Sequence, residues 1–393
     1  MVIMLPPKCQ NHGQAKTNGN KNVLIVGIGN SAVDVASELT NVAKQVTMST
    51  RNGTWVVSKH IERGYPLDMY LNSKVTFLKK WLNIEKFNND SVEKFSNFFD
   101  QDEYGSKPKH KFWSQQPTIS DDLHNKISSG TIVLKGDIKC FTENGVIFED
   151  GSFTEVDEVI CCTGFKFDFL FLDFGKLVPV VDIKNELYKK SFPLNSADKN
   201  TLAIIGLYQL LGSIFAPAEL NIRVFFEQAL GHIKLPSKTN MIKDIEASNK
   251  RTFNRYANIP RNALQIDYVE YTDEMADLIG CKPPMTTLFF TDYTLWKILF
   301  FGPNVPYAYR LVGPHSWPKA RETILTVQDR RIQAIHKRQT PNNPLEKCLE
   351  LKKEKLSPAW ITVGAIVLLG VSAKLYQGGR FDNVIDSINR IFN

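Results

Sequence analysis

The segment "KNVLIVGIGNSAVDVASELTNVAKQVTMSTR", Lys21 to Arg51, restricts the fold more than any other part of the chain. Val23 to Val26 form a short apolar run, the pattern of a strand buried on both faces of a parallel sheet. Gly27-Ile28-Gly29-Asn30-Ser31-Ala32 follow without a break and fit G-x-G-x-x-A. In that motif Gly27 makes the tight turn, Gly29 lets the backbone approach a pyrophosphate, and Ala32 lets the helix pack closely on the strand. Ser31 opens a segment with Val33, Val35, Ala36 and Leu39 at helical spacing. The free N–H groups at the start of such a helix face an anion. Gln45 to Ser49 read as the second strand.

The end of that second strand decides which dinucleotide is expected. An NAD site places Asp or Glu there to accept from the ribose 2′-hydroxyl, whereas an NADP site needs a cation for the 2′-phosphate. This strand ends Met48-Ser49-Thr50-Arg51, with no acid. Arg51 therefore points to NADP, with Thr50 and Asn52 as lesser neighbours. Gly27, Gly29, Asn30 and Ser31 are the expected pyrophosphate contacts. Asp34 is either a contact or an ordinary solvated acid near a helix start.

At 393 residues the chain can bury a sizeable core and fill about two or three domains. The net charge of +7 is spread along the chain, in short runs such as Lys79-Lys80 and Lys352-Lys353-Glu354-Lys355. It is too diffuse to indicate nucleic acid and supports at most a weak attraction to acidic membrane surfaces. The six cysteines have no metal-ligand spacing and read as reduced, in a cytosol-facing protein. The histidines are scattered, and none is assigned a catalytic or metal role. No catalytic side chain is assigned either.

Near the C-terminus, Ala359 to Ala373 form an uncharged apolar run of 15 residues, "AWITVGAIVLLGVSA". A spanning helix needs about 20 residues, so Lys374 would have to snorkel. Trp360 and Tyr376 stand where an aromatic belt would place them, and lysines precede the run. The expectation is a C-terminal membrane anchor, followed by an interfacial helix in "RFDNVIDSINRIF". The other reading of the run is a buried helix that closes the fold.

Between these ends, the stretch from Tyr70 to about Gln101 reads as helices. Residues 131–165 return to strands, with Asn144-Gly145 and Asp150-Gly151 as turns of a hairpin or meander. Glu155 to Phe165 is a buried strand that ends Cys161-Cys162-Thr163-Gly164-Phe165. On its own a Thr-Gly exit is an ordinary turn.

Taken in order, these residues resemble the flavin-containing monooxygenases of animals, among the class B flavoprotein monooxygenases. The features that carry the resemblance are the turn with Gly27, Gly29, Asn30, Ser31 and Asp34, the strand end "STRNGTWVVSK", "QPTISDDL" at Gln116 to Leu123, and Cys162-Thr163-Gly164-Phe165. "TLAIIGLYQLLGSIFAPAELNIR", "DYVEYTDEMADLIGCKP" and "FGPNVPYAYRLVGPHSWPKAR" look like the family's C-terminal half.

The resemblance implies an α/β fold: a Rossmann-like NADP-binding domain inserted in an FAD-binding Rossmann-like domain, here incomplete, plus a C-terminal helical membrane tail. The implied divisions are a short segment 1–20, an NADPH domain 21–156, the remainder of the FAD domain with a helical region 157–349, and an anchor and tail 350–393. The strand at Asp157 to Cys162 would return to the FAD domain, and a strand at Leu202 to Gln209 would pass near the flavin. Thr163, Gly164 and Gln209 become flavin-side contacts. The implied cofactors are NADPH and FAD, and the implied reaction is the O2-dependent oxygenation of soft amines or sulfides. The implied location is the endoplasmic reticulum membrane, cytoplasmic face, with no role for nucleic acid.

The sequence departs from the family at its beginning. The family's first G-x-G-x-x-G, which holds the FAD pyrophosphate, and its Phe-x-Gly-x-x-x-His signature have no counterpart in "MVIMLPPKCQNHGQAKTNGN". The chain alone is therefore expected to hold FAD poorly. The alternative to an enzyme is a non-catalytic, membrane-tethered NADP-binding isoform, or a dimer partner of intact homologues.

Overall fold

The structure is a computed structural model that describes residues 19–96, 99–165, 169–181, 184–256, 262, 264–333 and 335. Compactness divides the chain into two units, Met1–Thr326 and Val327–Asn393.

The first unit begins with the expected strand–helix–strand. β1 (Asn22–Val26) leads through the glycine turn into α1 (Asn30–Leu39), and β2 (Gln45–Ser49) follows with the predicted bounds. α1 forms because Ala32, Val33, Ala36 and Leu39 recur at helical spacing and are buried together. They pack on Val23, Ile25, Val46 and Met48 of the two strands.

A long excursion then leaves the sheet. It contains β3 (Val56–Val57), β4 (His60–Ile61), β5 (Tyr65–Pro66), α2 (Leu67–Leu71), α3 (Lys74–Leu82), α4 (Ile84–Ser96), β6 (Thr118–Ile119) and α5 (Leu123–Ser128). Its centre is aromatic, with Trp55, Phe95 and Phe112 buried against one another. β3 and β6 pair in parallel, Val56 opposite Thr118 and Val57 opposite Ile119. Gln101 extends this small sheet with its side chain: Val56 N–H donates to Gln101 Oε1, and Gln101 Nε2 donates to the Val56 carbonyl, both at 2.8 Å.

The chain re-enters the main sheet at β7 (Ile132–Lys135) and then forms the predicted meander, β8 (Ile138–Phe141), β9 (Gly145–Phe148) and β10 (Phe153–Glu155), an antiparallel sheet with β9 in the middle. Val146 and Phe148 of this meander cover Leu24 on the second face of the main sheet.

β11 (Glu158–Cys161) corrects one expectation. This strand does not leave for another sheet. It pairs in parallel with β1, Val23 opposite Glu158 and Val26 opposite Cys161, so the main sheet runs β11-β1-β2-β7. Its apolar run also predicts burial, but the strand stands at the sheet's edge with Val159 and Cys161 exposed, and only the ladder identifies its neighbour.

Four short strands follow: β12 (Val180–Val181), β13 (Lys184–Asn185), β14 (Leu187–Tyr188) and β15 (Phe192–Pro193). The strand expected at Leu202 to Gln209 is a second correction, because only Gln209 pairs there, in a single parallel bridge to Gln265. An apolar run becomes a strand when neighbours pair along it, and before Gln209 the described contact is a lone bond from the Ile204 N–H to the Ser191 carbonyl at 2.8 Å.

The rest of this unit is helical: α6 (Phe215–Ala229), α7 (Lys238–Arg255), α8 (Tyr268–Leu278), α9 (Met285–Thr291), α10 (Tyr293–Phe301) and α11 (Ala320–Leu325). Leu220 and Val224 of α6 pack with Met241 of α7 and Met275 of α8 in one core. A half-buried ionic cluster joins three helices: Asp267 at the start of α8 lies 2.6 Å from Lys80 Nζ of α3 and 3.0 Å from the Arg255 guanidinium of α7. Burial lowers the pKa of the Lys80 ammonium despite the attraction of Asp267, and the like charge of Arg255 lowers it further.

In the second unit the described helix is α12 (Val327–Gln333). Among the described residues no helix is long and apolar enough to cross a membrane. The apolar run 359–373, on which the anchor expectation rests, lies outside the described residues, as does most of the segment 1–20.

Candidate nucleotide site

The parallel register brings the strand ends flush, with Val26 opposite both Ser49 and Cys161. The segments that follow therefore meet at one edge of the sheet: the glycine turn after β1, Thr50 and Arg51 after β2, and Thr163 and Gly164 after β11. The carboxyl edge is where open α/β sheets take their ligands.

Gly27 occupies a backbone conformation that side chains disfavour, with φ +125°, and a Cβ there would lie 2.5 Å from the Cys162 carbonyl oxygen. Its N–H donates to the Ser49 carbonyl at 2.9 Å, which fixes the turn to β2. Gly29 is different, because a Cβ there would meet nothing within 4 Å. The space above it is open to a ligand. Val33 N–H is the first amide of α1 to reach back into the helix, to the Gly29 carbonyl at 3.0 Å. The amides of Asn30, Ser31 and Ala32 precede it and have no intrahelical acceptor. Together with the helix dipole they present a donor set suited to an anion.

The turn is held from the excursion as well. Thr118 Oγ1 donates to the Ile28 carbonyl at 2.7 Å, and Ile119 N–H donates to Asn30 Oδ1 at 2.8 Å. Asn30 thereby spends its acceptor on β6 and keeps its amide hydrogens, which suits a neighbour of phosphate. This clasp is absent from the sequence reading. The motif around Thr118 is visible there, but its partner lies 90 residues away.

Arg51 is exposed and makes no ion pair among the described residues. The turn that carries it is closed by Gly53 N–H donating to Thr50 Oγ1 at 3.1 Å, while Thr50 N–H donates to the Lys135 carbonyl at 3.0 Å. Gly53, at φ +68°, packs directly on the Ser106 carbonyl, and Thr54 N–H donates to that carbonyl at 2.7 Å. Asp34 is exposed on α1, beyond its first turn.

Thr163 and Gly164 are exposed and follow Cys162, whose N–H donates to the Val26 carbonyl at 2.8 Å. They sit beside the glycine turn. Gln209 is not part of this sheet edge: its side-chain amide donates to Gln116 Oε1, and its backbone pairs with Leu264 and Ile266.

A parallel sheet whose first strand enters a helix through this glycine turn defines a dinucleotide-binding α/β protein. The family description "Flavin-binding monooxygenase-like" matches residues 8–369, and the chain belongs to that family. FAD and NADPH are the cofactors that come with the family. Among its relatives, flavin-containing monooxygenase 5 of Cavia porcellus is 43% identical over 322 residues, covering 81% of this chain and 60% of that one. Dimethylaniline monooxygenase (N-oxide-forming) 2 of Mus musculus is 40% identical over 328 residues, with 81% and 59% covered. The chain thus spans about 60% of the length of these curated relatives. Among solved structures, S-allyl-L-cysteine S-oxygenase from Allium sativum matches with a TM-score of 0.44 at 22% identity, over 79% of this chain and 56% of that one.

Proposed function

We propose that this chain carries the NADPH-binding half of a flavin-dependent monooxygenase that oxygenates soft amines or sulfides with O2. The observation that carries the reading is the conjunction at one sheet edge of an open Gly29, unassigned helix-start amides and an unpaired Arg51. In this reading the amides of Asn30 and Ser31 hold the pyrophosphate, Gly29 gives it room, and Arg51 with Thr50 holds the 2′-phosphate. NADPH supplies hydride. The protein supplies its orientation across the carboxyl edge, toward Thr163 and Gly164.

FAD fits the described residues less well. They contain one strand–glycine turn–helix unit, and that unit suits NADPH. No second pyrophosphate cradle exists among them. Gln209 as a flavin-side contact rests on the family alone, and its side chain is already engaged by Gln116. A second reading is a membrane-tethered NADP-binding chain without turnover of its own, acting beside intact homologues. Attachment to the endoplasmic reticulum membrane through the run 359–373 belongs to both readings.

One experiment separates them. The detergent-solubilised chain is incubated with excess FAD, freed of unbound flavin, and its visible absorption recorded. Flavin retained near one equivalent supports the enzyme. No retained flavin, with NADPH still protecting the chain against thermal unfolding, supports the non-catalytic reading. Protection by neither cofactor overturns both.

A further inference from the structure

Two turns must stand at a fixed separation to grip one dinucleotide: the glycine turn after β1 and the Arg51 turn after β2. A short line of side chains runs between them. Thr118 Oγ1 donates its single hydrogen to the Ile28 carbonyl, inside the glycine turn, at 2.7 Å. Its contact with Thr54 Oγ1, at 3.2 Å, then has Thr54 as the donor, whose one hydrogen is shared with the more distant Trp55 carbonyl at 3.4 Å. Thr54 follows Arg51 by three residues, and its own N–H is fixed to Ser106, the residue on which Gly53 packs.

The order Thr54 to Thr118 to Ile28 is thus a directional hydrogen-bond relay between the 2′-phosphate turn and the pyrophosphate turn. Thr54 and Thr118 are buried, at 4% and 3% exposure, so water does not compete for these bonds. The Ile119–Asn30 bond supports the relay one residue on.

We propose that Thr118 is a positioning residue for the dinucleotide: it sets the distance between Arg51 and the glycine turn and thereby the affinity for a ligand that spans both. The inference rests on the NADPH reading above. A ligand that engages only one turn should be indifferent to the relay.

The test is calorimetric titration of the full chain, wild type and variants, with NADPH and with adenosine 2′-monophosphate, which carries the 2′-phosphate and no pyrophosphate. Thr118→Val keeps the shape and removes the hydroxyl. NADPH binding should weaken about tenfold, the scale of one buried hydrogen bond, while the monophosphate changes by less than about twofold. Thr118→Ser should restore NADPH binding. An unchanged NADPH affinity, or an equal loss for both ligands, overturns the proposal. If Thr118→Val does not fold, Thr54→Val tests the relay from its other end, with the Thr118–Ile28 bond left in place. It should weaken NADPH binding and spare the monophosphate, and an unchanged NADPH affinity again overturns the proposal. A wild type that binds neither ligand overturns the NADPH reading and this inference with it, whereas failure of the relay alone shows only in the variants.

Discussion

Gly27 abuts the carbonyl of Cys162, so closely that a Cβ on Gly27 would stand 2.5 Å from its oxygen, whereas a Cβ on Gly29 would stand in open space. The two glycines of one motif therefore do different work. Gly27→Ala should destabilise the chain by about 3 kcal/mol, from backbone strain plus the clash, and nucleotide binding should be lost with the fold. Gly29→Ala should leave the chain within about 0.5 kcal/mol of wild-type stability and still weaken NADPH. Thermal melts with and without NADPH distinguish the two outcomes. Equal destabilisation by both variants would refute the division.

In the proposed reading, Arg51 sets the selectivity between NADPH and NADH. Arg51→Ala should weaken NADPH by about 1.5–3 kcal/mol, the scale of charge-assisted contacts, and leave NADH nearly unchanged. Titration with each nucleotide measures this directly. Equal losses would remove the 2′-phosphate assignment.

Asp267 makes stability depend on acid. Burial pushes its carboxyl up, but Lys80 and Arg255 together outweigh burial and hold it at about 2. A pKa held below the unfolded value of about 3.9 contributes stability that is present above that value and lost as pH falls toward 2. A shift of that size contributes on the order of 2–3 kcal/mol. Asp267→Asn should cost about 3 kcal/mol at pH 7, because two half-buried cations lose their partner, and should flatten this part of the acid dependence. Urea unfolding at a series of pH values gives both numbers, and an Asn variant with the wild-type acid slope would exclude Asp267 as its source.

Gln101 stands in for a strand. Gln101→Ala leaves the Val56 N–H and carbonyl without partners and should cost about 2 kcal/mol. Hydrogen exchange at the Val56 amide should accelerate before that of β1. Unchanged protection at Val56 would show that the side chain is dispensable.

Much of the site was legible because it is local. β1, the glycine turn, α1 and β2 occupy one continuous stretch, and each element carries its own period, so Gly27, Gly29 and Arg51 could be placed by counting. What could not be read depends on partners distant in sequence. Glu158–Cys161 has the apolar run of a buried parallel strand, but its place at the exposed edge beside β1 is set by pairing across more than a hundred residues. Leu202 to Gln209 has the composition of a strand but lacks a neighbour along most of its length. Thr118, Thr54 and Gln101 are polar residues whose importance appears only when their partners 90, 64 and 45 residues away are known.

The pairing of β11 with β1 also has a mechanical meaning. The polypeptide enters this sheet at the amino end of β1 and departs from the carboxyl end of β11, past the glycine turn. Tension on the departing chain would load the β1–β11 hydrogen bonds along the strand axis, so that they resist as a group and do not open one by one. A pull arising beyond residue 161 would thus be felt first at the Gly27–Cys162 contact, the point where the ligand crevice begins.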